Sequence, residues 1–269
     1  MKIFLLVLAM VPLSWAEPII IDTLNTGFHL SSPKKDECVK FDIRGDGTKE
    51  CWSWPEAGSG NGWLVLPKKG KVNGADEMFG NYTKVGCAKQ GPEWNAKRLP
   101  KGEWYCGLPQ PNIKGRRGVV GPTGQDGYYA LAEYDSVGNG GNGDGIIDDK
   151  DEVYDYLRVW IDDNPRDGIA QPGELHTLRE MGIHSIGLSA VNSRKQDKWG
   201  NTFQRAVVIN AGNPEATAKA TQDLFDKSVA HQPLDTQTYD VWLVNSEKEQ
   251  IDIDNAKHGW PVPPERVQQ

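Results

Sequence analysis

Residues 140–151 read GGNGDGIIDDKD, and the fold turns on whether this is a glycine-rich turn or a loop that holds a cation. Side-chain oxygens stand at Asn142, Asp144, Asp148, Asp149 and Asp151, and Gly145 directly follows the central acid. Calcium takes roughly six to eight hard oxygen ligands, and loops of about twelve residues supply them at alternating positions, with glycine at the sharp turn. With Gly145 at the sixth position, Asn142 falls at the third, Asp144 at the fifth, the Ile146 carbonyl at the seventh, Asp148 at the ninth and Asp151 at the twelfth. The first position falls on Gly140, which has no side chain. Asp135 is the expected replacement, returning as first ligand if the intervening glycine-rich residues bulge outward.

A second acid loop follows in IDDNPRDGIAQPGEL, residues 161–175. With Gly168 at the sixth position, Asp163 is first, Asp167 fifth, the Ile169 carbonyl seventh and Glu174 twelfth. Pro165 then occupies the third position and offers nothing. In the other register Asp162 and Asn164 are first and third, with one residue inserted, and both registers stay open. Between the loops, Val153, Leu157, Trp160 and Ile161 recur at helical spacing, which predicts a helix over 151–161 shared by the two loops.

Other elements follow from the same reading. Tyr129, Ala132 and Tyr134 predict a helix starting near Asp126, and Pro172 and Gly182 are placed to begin and end another. Residues 17–30 and 39–54 read as hairpins, 62–66 (GWLVL) as a strand, and 185–191 with 202–210 as a further hairpin. The expected fold class is α+β, with β-hairpins packed against tandem EF-hand-like calcium loops that share a helix.

The stretch MKIFLLVLAMVPLSWAEP has the pattern of a secretory signal peptide, with a cut expected between Ala16 and Glu17. Residues 17–246 are read as one calcium-binding domain, 84–122 as a basic, Gly- and Pro-containing insertion, and 247–269 as a polar, Pro-containing tail. Four cysteines in an exported chain predict two disulfides, and the local pairs Cys38–Cys51 and Cys87–Cys106 are favoured, the second tying the insertion. No run of apolar residues after the leader is long enough to span a bilayer. The expected location is therefore secreted, extracellular or periplasmic, and the expected state is monomeric.

Charge is concentrated in one place. Residues 135–182 carry twelve acids and four bases, while the whole chain has a formal net charge of −7. Such a window is either a solvated acidic face or a set of carboxylates that cations neutralise. No basic patch points to nucleic acid. Turns of the Asp-x-x-Gly-x-Gly kind recur at 22–27, 42–47, 139–145 and 163–168, a weak self-similarity, and the one at 42–47 has no acid at the far end and reads as a tight hairpin turn. Residues 67–77 have a loop's shape but lysines at the ligand positions. Asn81-Tyr82-Thr83 is a glycosylation sequon.

In order along the chain, PIIIDTLNTGFHL, VKFDIRGDG, VNGADEMFGNYT, the run from Gly127 to Val191 and SRKQDKWGNTFQRAVV resemble a group of secreted bacterial EF-hand-like calcium proteins. The group is related to the self-processing module of iron-regulated RTX proteins. The resemblance covers about residues 18–210 and is most specific over 128–190. It implies calcium at Asp135, Asn142, Asp144, Asp148 and Asp151, and at Asp162 or Asp163, Asn164, Asp167 and Glu174. Self-processing modules open on Asp-Pro; the matching pair here is Glu17-Pro18, and the chain has no Asp-Pro bond. No enzyme motif is present, and enzymatic activity is not expected. The expected function is calcium binding that stabilises the fold. The alternatives are calcium-dependent docking of an extracellular protein partner and calcium-triggered self-processing.

Overall fold

The computed structural model describes residues 17–83, 126–232 and 236–245. The strands are β1 (Ile19–Asp22), β2 (Val39–Phe41), β3 (Glu50–Trp52), β4 (Asn61–Val65), β5 (Ile146–Ile147), β6 (Arg158–Trp160), β7 (Leu175–Thr177), β8 (Ile186–Gly187), β9 (Val191–Gln196), β10 (Thr202–Ala206) and β11 (Thr238–Trp242). Two α-helices join them, α1 (Gly127–Ala132) and α2 (Pro214–Val229). Seven strands form one antiparallel sheet in the order β7-β6-β4-β1-β11-β10-β9. β2 pairs with β3, and β5 with β8, as separate two-stranded ladders.

The sheet is buried on both faces. A strand covered on both sides needs no polar alternation, and β1 shows this in its run of three isoleucines. Ile19 and Ile21 join one core with Leu64, Val159, Tyr128, Ile147 and Leu157. Ile20 joins the other with Trp54, Trp63, Trp160, Phe203 and Tyr239. In the second core Trp54 meets Trp63 and Trp160 edge-on, with ring centroids 5.2 and 5.5 Å apart. Such pairs contribute about 1 kcal/mol each beyond the area they bury.

The α+β reading with tandem loops sharing a helix is corrected by this architecture, which is mostly antiparallel sheet among the described residues. Residues 151–161 form a short 3-10 turn, Glu152–Asp155, and then enter β6, which pairs with β4 and β7. The helical spacing misled because Val153, Leu157 and Val159 do share a core, whereas Trp160 points to the opposite one. Adjacent residues facing opposite ways is strand geometry, and Val and Trp suit it. The helix expected from Pro172 to Gly182 is likewise replaced by β7 and a turn closed by Gly182 N–H donating to the Arg179 carbonyl.

The hairpin near residue 200 is shifted. β10 pairs with β9, at 191–196, while β8 pairs with Ile146–Ile147 of the first acid loop. Residues 17–30 form only β1, and Leu30 bridges instead to Pro55. The β2–β3 hairpin and strand β4 stand as expected, and Cys38–Cys51 closes the first of these. That crosslink contributes roughly 3 kcal/mol by the chain-entropy argument.

Two elements had no counterpart in the sequence reading. α2 is capped by Asn213, whose side chain accepts Ala216 N–H, with proline in its first turn. β11 inserts between β1 and β10 at the centre of the sheet. Asn81 is buried and its side-chain oxygen accepts Glu17 N–H, so the sequon asparagine serves the interior. No helix among the described residues is long and apolar enough to cross a membrane. The leader, the 84–122 insertion with Cys87–Cys106 and the 247–269 tail lie outside the described residues.

Candidate metal site

The first acid loop is built around a returning aspartate. α1 is capped by the Asp126 side chain on Tyr129 N–H and passes through a 3-10 turn that ends at Asp135. Residues 136–140 then bulge away, and the chain comes back so closely that a side chain on Gly141 would sit 2.1 Å from the Asp135 carbonyl. The Asp135 carboxylate, 8% exposed, accepts N–H from Gly143 and from Gly145, each at 2.9 Å. From the other end, Asp151 accepts Asn142 N–H at 3.2 Å and Asp148 N–H at 2.9 Å. Asp135 and Asp151 thus clasp the loop from both sides.

The remaining candidates are arranged between them. Asn142 exchanges hydrogen bonds with Asp144, and Asp144 accepts Ile146 N–H. Ile146 and Ile147 are buried and hold the loop to β8. Asp148 is buried, whereas Asp149 is exposed. One participant escaped the sequence reading: Lys150 places its ammonium 2.6 Å from Asp148 Oδ2 and 3.6 Å from Asp144 Oδ2. Its signal was a lysine inside the DDKD run.

In the second loop Asp162, not Asp163, meets the glycine turn. Asp162 accepts N–H from Asp167 at 3.2 Å and Gly168 at 2.8 Å, and the Trp54 indole N–H at 2.7 Å. Asp163 turns away and accepts Gly58 N–H at 3.0 Å. Asp167 is exposed and accepts Ile169 N–H, and Asn164 and Ile169 are exposed as well. Glu174 is 7% exposed. Its Oε2 accepts Gln171 N–H at 3.0 Å and Trp160 Nε1–H at 3.4 Å, while Oε1 is buried with no hydrogen-bond partner. Trp54 lies 108 residues from Asp162, and nothing in the local sequence announces that contact.

The loops do not brace one another through a common helix. Ile147 feeds one core of the sheet, and Ala170 and Leu175 pack on the other. What they share is a clasp in which an aspartate accepts N–H groups around a later glycine. Asp22 with Gly27 and Asp42 with Gly47 repeat it at 2.7 and 2.9 Å, which explains the weak self-similarity of the sequence. These two differ from the candidate loops at the far end. After Gly47 the next acid, Glu50, is paired with Arg44. In the 67–77 turn Glu77 accepts Asn73 and Gly74 N–H, and Lys68 Nζ stands 3.1 Å from its other oxygen. The 135–151 and 162–174 loops each bury further carboxylates beside the clasping aspartate: Asp148 and Asp151 with Asp135, and Glu174 with Asp162.

Crowded burial shapes their electrostatics. Desolvation pushes the Asp151 carboxyl up to about 6, and the charges of Asp135 and Asp148 push it the same way against its N–H bonds. Asp162 is raised to about 6, first by burial and also by the charge of Glu174. Asp135 is raised as well, chiefly by burial. These groups are hard oxygen donors, held at a desolvation cost that a cation would offset. As arranged, the carboxylates rest on loop N–H groups and Lys150, and no three acidic, His or Cys side chains among the described residues gather as metal ligands do.

Comparison with known proteins places this region in context. The model of the SPM domain matches residues 112–225, which contain both loops. The iron-regulated protein FrpA of Neisseria meningitidis serogroup C is 30% identical over 187 residues, covering 70% of this chain and 13% of that protein. The chain therefore spans a small part of that relative's length. It is similar to both, as its resemblance to that group implies, while the similarity itself says nothing of calcium.

Proposed function

We propose that the chain is an exported calcium-binding protein whose two acid loops each take up Ca2+ and thereby stabilise the sheet between them. The observation that carries this reading is Glu174 Oε1, a buried carboxylate oxygen with no hydrogen-bond partner, beside the buried Asp162. An unpaired buried carboxylate oxygen costs free energy that a hard cation would return. Asp162, Asp167, Glu174 and the Ile169 carbonyl, with Asn164, would hold one ion. Asp135, Asn142, Asp144, Asp148, Asp151 and the Ile146 carbonyl would hold the other, with Lys150 withdrawing. The ion would supply charge neutralisation rather than catalysis. The disulfide Cys38–Cys51 supports an oxidising, exported setting.

Binding to the folded state alone raises stability by mass action. Thermal melting with millimolar calcium and with EDTA tests the reading: the midpoint should rise with calcium and fall with chelator. Superimposed melts at both conditions would overturn it.

A further inference from the structure

A second group of buried charges lies away from the acid loops. Arg205 of β10 places Nη1 3.3 Å from Asp126 Oδ2, 3.6 Å from Asp240 Oδ2 and 3.8 Å from Glu17 Oε2. All four side chains are buried: Glu17 is 1% exposed, Asp126 2%, Arg205 5% and Asp240 0%. They come from four parts of the fold: the segment two residues before β1, the cap of α1, β10 and β11. Among the described residues three carboxyls therefore face one guanidinium. Asp126 is satisfied by Tyr129 N–H, and Gly127 N–H serves Asp240 Oδ2. Trp242 Nε1–H donates to Glu17 Oε1. Yet Glu17 Oε2 and Asp240 Oδ1 are buried with no hydrogen-bond partner. The remaining titratable neighbour, the Tyr128 hydroxyl, is held by Thr238.

Excess buried negative charge with orphaned acceptors calls for a cation or protons. No acidic group here has the gathered arrangement of metal ligands. The nitrogen of Glu17 belongs to the same residue as one of the orphaned oxygens. It is fixed inside the fold, donating its one hydrogen to Asn81 Oδ1 at 3.2 Å, while the neighbouring Pro18 carbonyl accepts Val241 N–H at 3.1 Å. The leader pattern places the cut at the bond before this nitrogen.

We propose that cleavage between Ala16 and Glu17 creates an α-ammonium that completes the Glu17–Asp126–Asp240–Arg205 cluster and so locks β1 into the sheet. A leader peptidase hydrolyses the bond: water gives its hydroxyl to the Ala16 carbonyl carbon and a hydrogen to the Glu17 nitrogen. At neutral pH the free amine takes a further proton. One N–H donor becomes three, and the cluster gains a positive charge where it has an excess of acids. An α-amino group loses its proton near pH 8 when free, and facing carboxylates keep it charged to higher pH. The chain that still carries its leader lacks this charge, so full stability arrives with processing. The proposal rests on the leader cut and is independent of calcium at the acid loops.

The test compares two purified chains in EDTA, one beginning at Glu17 after scarless protease release and one retaining Ala16 with its amine acetylated, so that no α-ammonium is present. The Glu17 chain should melt higher by about 5 °C at pH 7, and the gap should close by about pH 10 as the amine is neutralised. Equal midpoints at pH 7 would overturn the proposal. So would a gap that stays constant from pH 6 to pH 10, because crowding by Ala16 does not titrate. As a second measurement, reductive methylation of the Glu17 α-amine at pH 7 should run at least about tenfold slower in the native chain than in urea. Equal rates would place the amine in solvent and overturn it as well.

Discussion

Gly145 N–H donates to Asp135 Oδ2 at 2.9 Å across ten residues of chain. This bond, with its partner from Gly143, holds the bulge of 136–140 outside the loop and returns Asp135 to the place that Gly140 leaves without a side chain.

Asp135→Ala should act in two ways. It leaves two loop N–H groups without their acceptor, so the chelated protein should lose about 1–3 kcal/mol of stability. On the proposed reading it would also delete the first ligand, so calcium affinity at this loop should fall at least about tenfold. Urea unfolding in EDTA checks the first effect and calorimetric titration the second. Unchanged affinity would mean that Asp135 is a loop clasp alone.

Asp162 and Asp163 separate the two registers of the second loop. Asp162 meets Gly168, whereas Asp163 serves Gly58. Asp162→Asn and Glu174→Gln should each weaken calcium binding at this loop about tenfold or more, while Asp163→Asn should leave it within about twofold. Calcium titrations of the three variants decide it, and the opposite order would restore the Asp163 register.

Lys150 pairs with Asp148 and Asp144, and on the proposed reading it would compete with the cation for them. Lys150→Met should raise calcium affinity at the first loop several-fold at low salt, with a smaller gain at high salt, since exposed charges are screened. A titration at two ionic strengths reads this. An affinity that falls in the variant would assign Lys150 a supporting role.

The pH profile should report the buried cluster. In the chain that retains a residue before Glu17, burial pushes the Glu17 carboxyl from 4.5 up to about 7, and the Asp126 charge pushes it the same way against Trp242 and Arg205. Asp240 is raised too, by burial and then by the charge of Glu17. A carboxyl with a raised folded pKa takes up a proton on folding, so its contribution is present below about pH 4.5 and is lost as pH rises through 7. Glu17→Gln cannot ionise, so its stability should decline less between pH 5 and 8, by about 3 kcal/mol at most. Parallel stability–pH curves for the two chains would count against this.

The acid loops were readable because their chemistry is local. Glycines, acids and their spacing within 135–151 and 162–174 specify a chain that turns back on its own carboxylates. The Cys38–Cys51 hairpin and β4 were readable for the same reason. The stretch 151–161 was not, because Val153, Leu157 and Ile161 fall on a helical period while Leu157, Val159 and Ile161 alternate onto one core face as a strand does. Only the hydrogen bonds offered by β4 and β7 decide between them, and those partners lie far away in sequence. Lys150 was visible as a letter, but its direction toward Asp148 was not.

By itself, then, the sequence determined where oxygen donors accumulate and which turns close on glycine, and it favoured the local pair Cys38–Cys51. Tertiary structure decided that the segment between the loops is sheet, that Asp162 rather than Asp163 faces Gly168, and that Glu17 meets Arg205 and Asp240. Short-range hydrogen bonding depends on a few neighbouring residues. Burial of charge depends on which distant strands close over it, as β11 does when it inserts beside β1 and carries Asp240 to Glu17.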